Sequence, residues 1–399
     1  MSTENAAGIT APAGFLAAGA VAGLKSEGRD VALVVNTGPD KHAAAVFTTN
    51  RVAAAPVLWS RQVIADGRAD AVILNSGGAN ACTGAPGFAD THTTAETVAE
   101  KLTAGGHDVS AGDVLVCSTG LIGVRLNMPA LLGGVDRTAS ALSGDVEAGA
   151  AAADAIRTTD TVSKTEVRAG NGFTIGGMAK GAGMLAPGMA TMLSVITTDA
   201  VISQEHLDAA LREAVRVSFN RADSDGCMST NDTVIAMASG AHPEADPSGA
   251  DLSEFQAALT EVCQSLAAQL IADAEGAHHE IAIRTANAVD EEQAETAGRA
   301  VARSNLFKTA IFGQDPNWGR VLSAVGTTDV EFDPSAIDVA VNGIWVCRAG
   351  GIGEDRALVD LTGRKVDVTI DLKAGAAEAT ILTNDLTHDY VHENSAYSS

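Results

Sequence analysis

Apolar residues in this chain fall into short runs that stop at glycine-rich or polar loops. "DVALVVNT" (Asp30–Thr37) and "AAAVFTTN" (Ala43–Asn50) flank a Gly-Pro-Asp turn and predict two paired strands, a hairpin. "ADAVILNSGGANACTG" (Ala69–Gly84) and "GDVLVCSTGLIG" (Gly112–Gly123) each predict a buried strand running into a polar, glycine-bearing loop. "NGFTIGGMAKGAGML" (Asn171–Leu185) predicts a strand followed by a loop that holds its four internal glycines. "GMLAPGMATMLSVITTDA" (Gly183–Ala200) and "DTVIAMAS" (Asp232–Ser239) predict further strands.

Apolar residues at helical spacing predict helices over Thr91–Leu102, Ser203–Phe219, Leu252–Gly276 and Asp290–Ser304, with Ser203 as an N-cap. In the tail, "IDVAVNG", "KVDVTIDL" and "EATILTND" predict strands, and the last two alternate as a sheet with one buried face requires. The stretch Ser239–Ser253 is loop-like. Strands mixed with helices in this way predict layered α/β or α+β packing.

Length and composition narrow the picture without setting the topology. A chain of 399 residues with 46% hydrophobic content can bury a sizeable core, as two domains or one large layered one. Only 4% of residues are aromatic, while 41 are glycine, which suits close backbone packing. The net charge of -24 repels phosphate backbones and anionic membranes, so nucleic acid and lipid are poor partners. Five cysteines (Cys82, Cys117, Cys227, Cys263 and Cys347) show no CxxC spacing, which predicts isolated buried thiols in a reducing cytoplasm. The N-terminal residues lack the pattern of a signal peptide, and no apolar run is long enough to span a bilayer, so a cytoplasmic location is expected.

Familiar catalytic signatures are missing: no P-loop, no GxGxxG after a strand, no HExxH and no GxSxG. His278 and His279 are adjacent, which suits a surface pair better than a metal site. Thr191 stands out instead. It opens an apolar strand-like run directly behind the small residues "APGMA". A threonine hydroxyl needs a base, and its own α-amine, with a pKa of roughly 7.7–8.0, can serve once the preceding peptide bond is cut. Cleavage between Ala190 and Thr191 would create nucleophile and base together. A threonine opening a strand is also common without any such chemistry.

Other residues extend the catalytic reading. Thr119 and Gly120 follow a strand and can converge on a developing oxyanion. Thr158, in "TTDT", supplies a hydroxyl, and Lys180 on its glycine-rich stretch can hold a substrate carboxylate. Glu275 closes a long helix, where a carboxylate opposes the helix dipole and a binding role makes better sense. "DPNWGR" (Asp315–Arg320) reads as a structural turn around a half-buried Trp318.

Taken together, "TAPAGF", "AVFTTN", "NSGGANACTG", "STGLIG", "TTDT", "GGMAKGAGMLAPGMATML", "MSTNDTV", "DAEGA", "FKTAIFGQDPNWGRVLSAVG" and "HENSAYSS" resemble the ornithine acetyltransferase (glutamate N-acetyltransferase) family of the cyclic arginine pathway, from Thr10 to Ser399. Gly78 and the Arg221–Val234 stretch depart from its usual pattern. The resemblance implies an αββα sandwich core and self-cleavage between Ala190 and Thr191. The products would be an α chain (1–190) and a β chain (191–399), assembled as an α2β2 heterotetramer.

It further implies that Thr191 carries the acetyl group from N-acetyl-L-ornithine to L-glutamate in a ping-pong reaction, with Thr119 and Gly120 as oxyanion hole. Thr158, Lys180, Thr191, Glu275, Asn394 and Ser399 would line the substrate site, the last two on a tail folded over it. No metal or coenzyme is expected in that reaction, and the bifunctional branch of the family implies acetyl-CoA as a second acetyl donor. Two other readings stay open on sequence: a self-processing amidohydrolase or aminopeptidase of the same architecture, and an uncleaved binding protein for amino-acid ligands.

Overall fold

The computed structural model describes residues 7–186, 192–244 and 249–396. Two sheets stack face to face. The first has the order β1 (Phe15–Ala20), β2 (Val31–Asn36), β4 (Ala71–Ser76), β5 (Val114–Thr119), with β4 and β5 parallel. The second has the order β3 (His42–Phe47), β9 (Thr233–Ala238), β8 (Leu193–Thr198), β7 (Phe173–Lys180), β6 (Lys164–Gly170), with β8 and β9 parallel.

The buried side chains show the layering. Ala17, Val34, Val72 and Leu115 from the first sheet meet Met178, Val195, Ile235 and Met237 from the second. The opposite face of the first sheet (Leu33, Ile73, Val116) packs on the helices Gly84–Ala104 and Met128–Ser140. The opposite face of the second (Ile175, Ile196, Ala236) packs on the helices Gln204–Arg216 and Leu252–Ala272. The sequence of layers is αββα, as expected. Each fully buried Val, Leu or Ile contributes about 1.5–3 kcal/mol, so these three apolar layers dominate the stability of the sandwich.

The predicted tail strands belong to a third sheet. Its order is β13 (Gly351–Ile352), β12 (Ile344–Arg348), β11 (Asp338–Val341), β14 (Lys365–Asp371), β10 (Glu280–Ala288), β15 (Ala377–Asn384). It has its own core with the helix Glu291–Ala302 and is joined to the sandwich where Asp223 N–H donates to Leu382 O at 2.8 Å. Asn317 caps the helix Trp318–Val325 by accepting from Arg320 N–H, so "DPNWGR" is the structural turn expected.

Four expectations need correction. β2 and β3 do not pair. The Gly-Pro-Asp turn carries the chain across the sandwich, so β2 pairs with β1 and β4 while β3 pairs with β9. Gly176 and Gly177 are not loop residues: they lie inside β7, where backbone approach excludes a side chain, and a Cβ on Gly176 would sit 2.0 Å from Gly8 O. Cys82 and Cys227 are exposed, whereas Cys117, Cys263 and Cys347 are buried and all five are free. Burial pushes the Cys117 and Cys263 thiols up to about 12, which makes them poor nucleophiles. Only His278 of the histidine pair is on the surface. His279 is buried and bonded to Asp385 at 2.7 Å.

The proposed boundary between 190 and 191 falls between β7 and β8, which are hydrogen-bonded neighbours from Lys180↔Leu193 to Ile175↔Thr198. Both segments therefore contribute strands to one sheet.

Candidate active site

One edge of the sandwich gathers the candidate residues. β4 and β5 run parallel and end together, and the loops that leave them stay bonded: Gly78 N–H donates to Thr119 O (3.0 Å), and Ala79 N–H to Leu121 O (3.0 Å). Gly120 has φ +128°, a conformation that a residue with a Cβ resists, and a Cβ there would meet Gly78 N at 2.6 Å. In the second sheet β7 ends at Lys180, in register with Leu193 at the start of β8, which is in register with Thr233 at the start of β9. The chain thus leaves the sheet at Lys180 and re-enters at Leu193, on the same edge.

A cavity of about 110 Å³ opens there, lined by Thr119, Gly120, Thr158, Lys180, Glu275 and Asn394, among others. Every candidate substrate or oxyanion residue within the described residues reaches it. Ala190, Thr191 and Ser399 lie outside the described residues.

Lys180 is buried, and its Nζ donates to Thr158 Oγ1 at 2.7 Å and to Thr119 Oγ1 at 3.3 Å. Burial pushes its ammonium below the usual lysine range, against the pull of Asp160. Asp160 organises the surroundings: it accepts from Lys164 Nζ (2.6 Å), Gly181 N–H (2.6 Å) and Thr158 N–H (3.0 Å). Burial alone would raise this carboxyl. The Lys180 and Lys164 charges and these hydrogen bonds outweigh burial and hold it at about 2.

Glu275 lies three residues beyond the end of the helix Leu252–Ala272, its N–H bonded to Ala182 O at 2.8 Å. Gly183 makes room for its carboxylate, since a Cβ there would lie 2.4 Å from Oε2. Asn394 sits on a C-terminal helix, His388–Ala396, and donates from Nδ2 to Glu275 Oε2 at 2.9 Å. The tail expected to fold over the site is therefore helical as far as Ala396.

Ser229, Thr230 and Asn231 of the "STND" segment, which the sequence does not single out as site residues, also line the cavity. Asn231 Nδ2 donates to Ala79 O (2.6 Å) and Ser118 O (2.8 Å), tying the two sheets together at the site. Asp232 is fully buried. Its Oδ1 accepts from Met192 N–H (3.0 Å), and its Oδ2 has no hydrogen-bond partner among the described residues. Burial pushes this carboxyl well above the usual range. A run of consecutive hydrogen-bonding residues, Ser229–Thr233, directly before the apolar stretch Val234–Ala238 was the available signal.

Among the described residues no group of three or more His, Cys, Asp or Glu side chains could hold a metal ion, and no helix is long and apolar enough to cross a membrane. The arrangement offers hydroxyl and N–H donors, one buried ammonium and one carboxylate around a small cavity. That set suits acyl transfer onto or from an amino acid.

Comparison with known proteins agrees with this chemistry. The chain is 61% identical over 392 residues to the arginine biosynthesis bifunctional protein ArgJ of Thermobifida fusca, covering 98% of this chain and 100% of that protein. It is 60% identical over 395 residues to the protein of the same name from Streptomyces coelicolor, covering 98% and 100%. The crystal structure of ornithine acetyltransferase complexed with ornithine from Mycobacterium tuberculosis is 54% identical, covers 47% of this chain and 97% of that chain, and gives a TM-score of 0.43. The model of the ArgJ family matches residues 16–399. The chain belongs to the ArgJ family.

Proposed function

We propose that this enzyme of arginine biosynthesis transfers an acetyl group from N-acetyl-L-ornithine to L-glutamate through Thr191, freed as an N-terminal residue by self-cleavage after Ala190. The observation that carries the reading is the convergence of Thr119, Gly120, Thr158, Lys180, Glu275 and Asn394 on one cavity, at the sheet edge where the chain re-enters two residues after Thr191.

The Thr191 hydroxyl adds to the acetyl carbonyl while the Thr191 amine takes its proton. The Gly120 N–H and the Thr119 hydroxyl receive the oxyanion. Because Lys180 donates to the Thr119 oxygen, the Thr119 proton remains free to do so. Ornithine departs with the proton and acetyl-Thr191 remains. The α-amine of glutamate then attacks, and N-acetylglutamate leaves. Lys180 supplies positive charge for the carboxylate common to both amino acids, and Glu275 supplies negative charge for an amino group, with Thr158, Asn394 and Ser399 completing the wall.

Acetyl-CoA acts as a second donor to the same threonine. The α and β products assemble as an α2β2 heterotetramer in the cytoplasm, and the acetylornithine reaction needs neither metal nor coenzyme.

The test is a denaturing intact mass alongside a transfer assay. Wild type should show two chains of 190 and 209 residues, the second beginning at Thr191. Thr191→Ala should remain one 40.3 kDa chain and lose transfer altogether. A cleaved, active Thr191→Ala protein, or ornithine release that continues past one equivalent of enzyme in the absence of glutamate, would contradict the reading.

A further inference from the structure

The active-site cavity has two larger neighbours, and their charges differ. One, of about 630 Å³, shares Thr158, Glu275 and Asn394 with it and adds Asp273, Asp389 and Glu393. The other, of about 620 Å³, shares Gly120 and Thr158 and is walled by Lys25, Arg29 and Arg157. Its acidic members are Glu27 and Asp154, so the second pocket carries a surplus of positive charge in a chain of net charge -24. Both volumes fall within the range of about 300–1,000 Å³ usual for small-molecule sites.

The basic pocket is built on fixed backbone. The Asp30 carboxylate, fully buried, accepts from the N–H groups of Ala22 (2.5 Å), Gly23 (2.8 Å), Leu24 (2.6 Å) and Lys25 (3.2 Å), which pins the loop that presents Lys25. Lys25 Nζ donates to Arg157 O at 2.8 Å and so joins this loop to the segment that continues into Thr158. Arg29 and Arg157 share one carboxylate, Asp154, at 3.1 and 3.0 Å. Two guanidiniums on one carboxylate leave donors to spare, and Arg157 Nε is buried with no hydrogen-bond partner among the described residues. Ornithine and its acetyl derivative carry no net negative charge, and the carboxylate that they share with glutamate is already assigned to Lys180. A phosphorylated acyl carrier brings the negative charge that such a wall suits.

We propose that the Lys25–Arg29–Arg157 pocket binds the phosphate-bearing part of acetyl-CoA and leads its thioester past Gly120 to the reacting threonine. This rests on the proposed use of acetyl-CoA as a second donor. In that half-reaction the Thr191 oxygen bonds to the thioester carbonyl carbon and the C–S bond breaks. The proton taken by the Thr191 amine passes to sulfur, and coenzyme A leaves as the thiol. The amino-acid donor uses the acidic side of the cavity.

The test compares wild type with Arg29→Ala and Lys25→Gln in three measurements: glutamate acetylation from acetyl-CoA, transfer from acetylornithine, and calorimetric titration with coenzyme A. Each variant should raise the KM for acetyl-CoA and the Kd for coenzyme A about tenfold, the equivalent of about 1.4 kcal/mol. Transfer from acetylornithine should stay at the wild-type rate. Arg29 is half exposed, so its truncation leaves the fold intact and the comparison valid even where Lys25→Gln folds poorly. Equal losses in both reactions, or none in either, would overturn the proposal. A wild type that transfers from acetylornithine but neither binds coenzyme A nor uses acetyl-CoA would overturn it and leave the ornithine reaction standing. A wild type that transfers from neither donor would remove the functional reading itself.

Discussion

Gly120 and Asp160 are the two residues on which the described part of the site turns. Adding a methyl group in Gly120→Ala forces a left-handed φ on a residue that disfavours it and drives Cβ against Gly78 N. With Gly120 in the proposed role of oxyanion donor, such a loss costs about 10²–10³ in kcat, so a steady-state assay should show it while the KM for acetylornithine changes little.

Asp160→Asn removes the partner of two buried ammoniums. The penalty should be about 3 kcal/mol in a denaturant titration, since Lys164 keeps its second bond to Asp273. The pH dependence has a definite sign. A carboxyl held at about 2 in the folded state, against about 3.9 unfolded, contributes its full stabilisation above about pH 4. That contribution disappears as pH falls from about 4 to 2, and Asp160→Asn should lack this part of the acid transition.

Sequence alone brought Thr119, Gly120, Thr158 and Lys180 under suspicion as polar or flexible residues at strand ends and glycine-rich turns, and Glu275 as a carboxylate set against a helix dipole. Asn231 and Asp232 escaped notice because their importance lies in partners far along the chain, Ala79 and Ser118 for Asn231 and Met192 for Asp232, whereas the role of Asp160 depends on the burial of Lys164 and Lys180 around it.

At the scale of elements, helices and strands were legible wherever the apolar period was strong. The helix Gln204–Arg216 begins as predicted, with the Ser203 hydroxyl accepting from His206 N–H. The failures came from non-local packing. A turn between two apolar runs cannot say whether the runs pair or pass to different sheets, and here β2 pairs with β4 while β3 pairs with β9. A glycine pair reads as a loop until its neighbours are known. Gly176 lies under Gly8 and Pro12, so Gly176→Ala must part β7 from the Gly8–Thr10 turn. Overpacking of this kind costs about 1–3 kcal/mol, to be seen as a lowered thermal midpoint.

For the whole molecule, the layered class was legible from the mixture of elements, and the αββα order followed only from the family resemblance. The third sheet and its seam with the sandwich at Ala222 and Leu382 were not foreseen, because tail strands alone do not reveal which core they build. Strong net negative charge excluded partners in bulk but hid the local basic pocket beside Gly120.

The adjacency of β7 and β8 also bears on the history of each molecule. An intact precursor closes that ladder within one chain, so its folding is first order. A break between the two strands leaves the native sheet in place but makes its re-formation, after full unfolding, a collision between two polypeptides. Recovery of cut protein from denaturant should then rise with protein concentration, while uncut Thr191→Ala should refold with a concentration-independent yield in dilute solution. Light scattering and recovered secondary structure across a dilution series would show the difference. Cleavage would thus act as a ratchet: the enzyme folds easily once, and afterwards owes its persistence to slow unfolding.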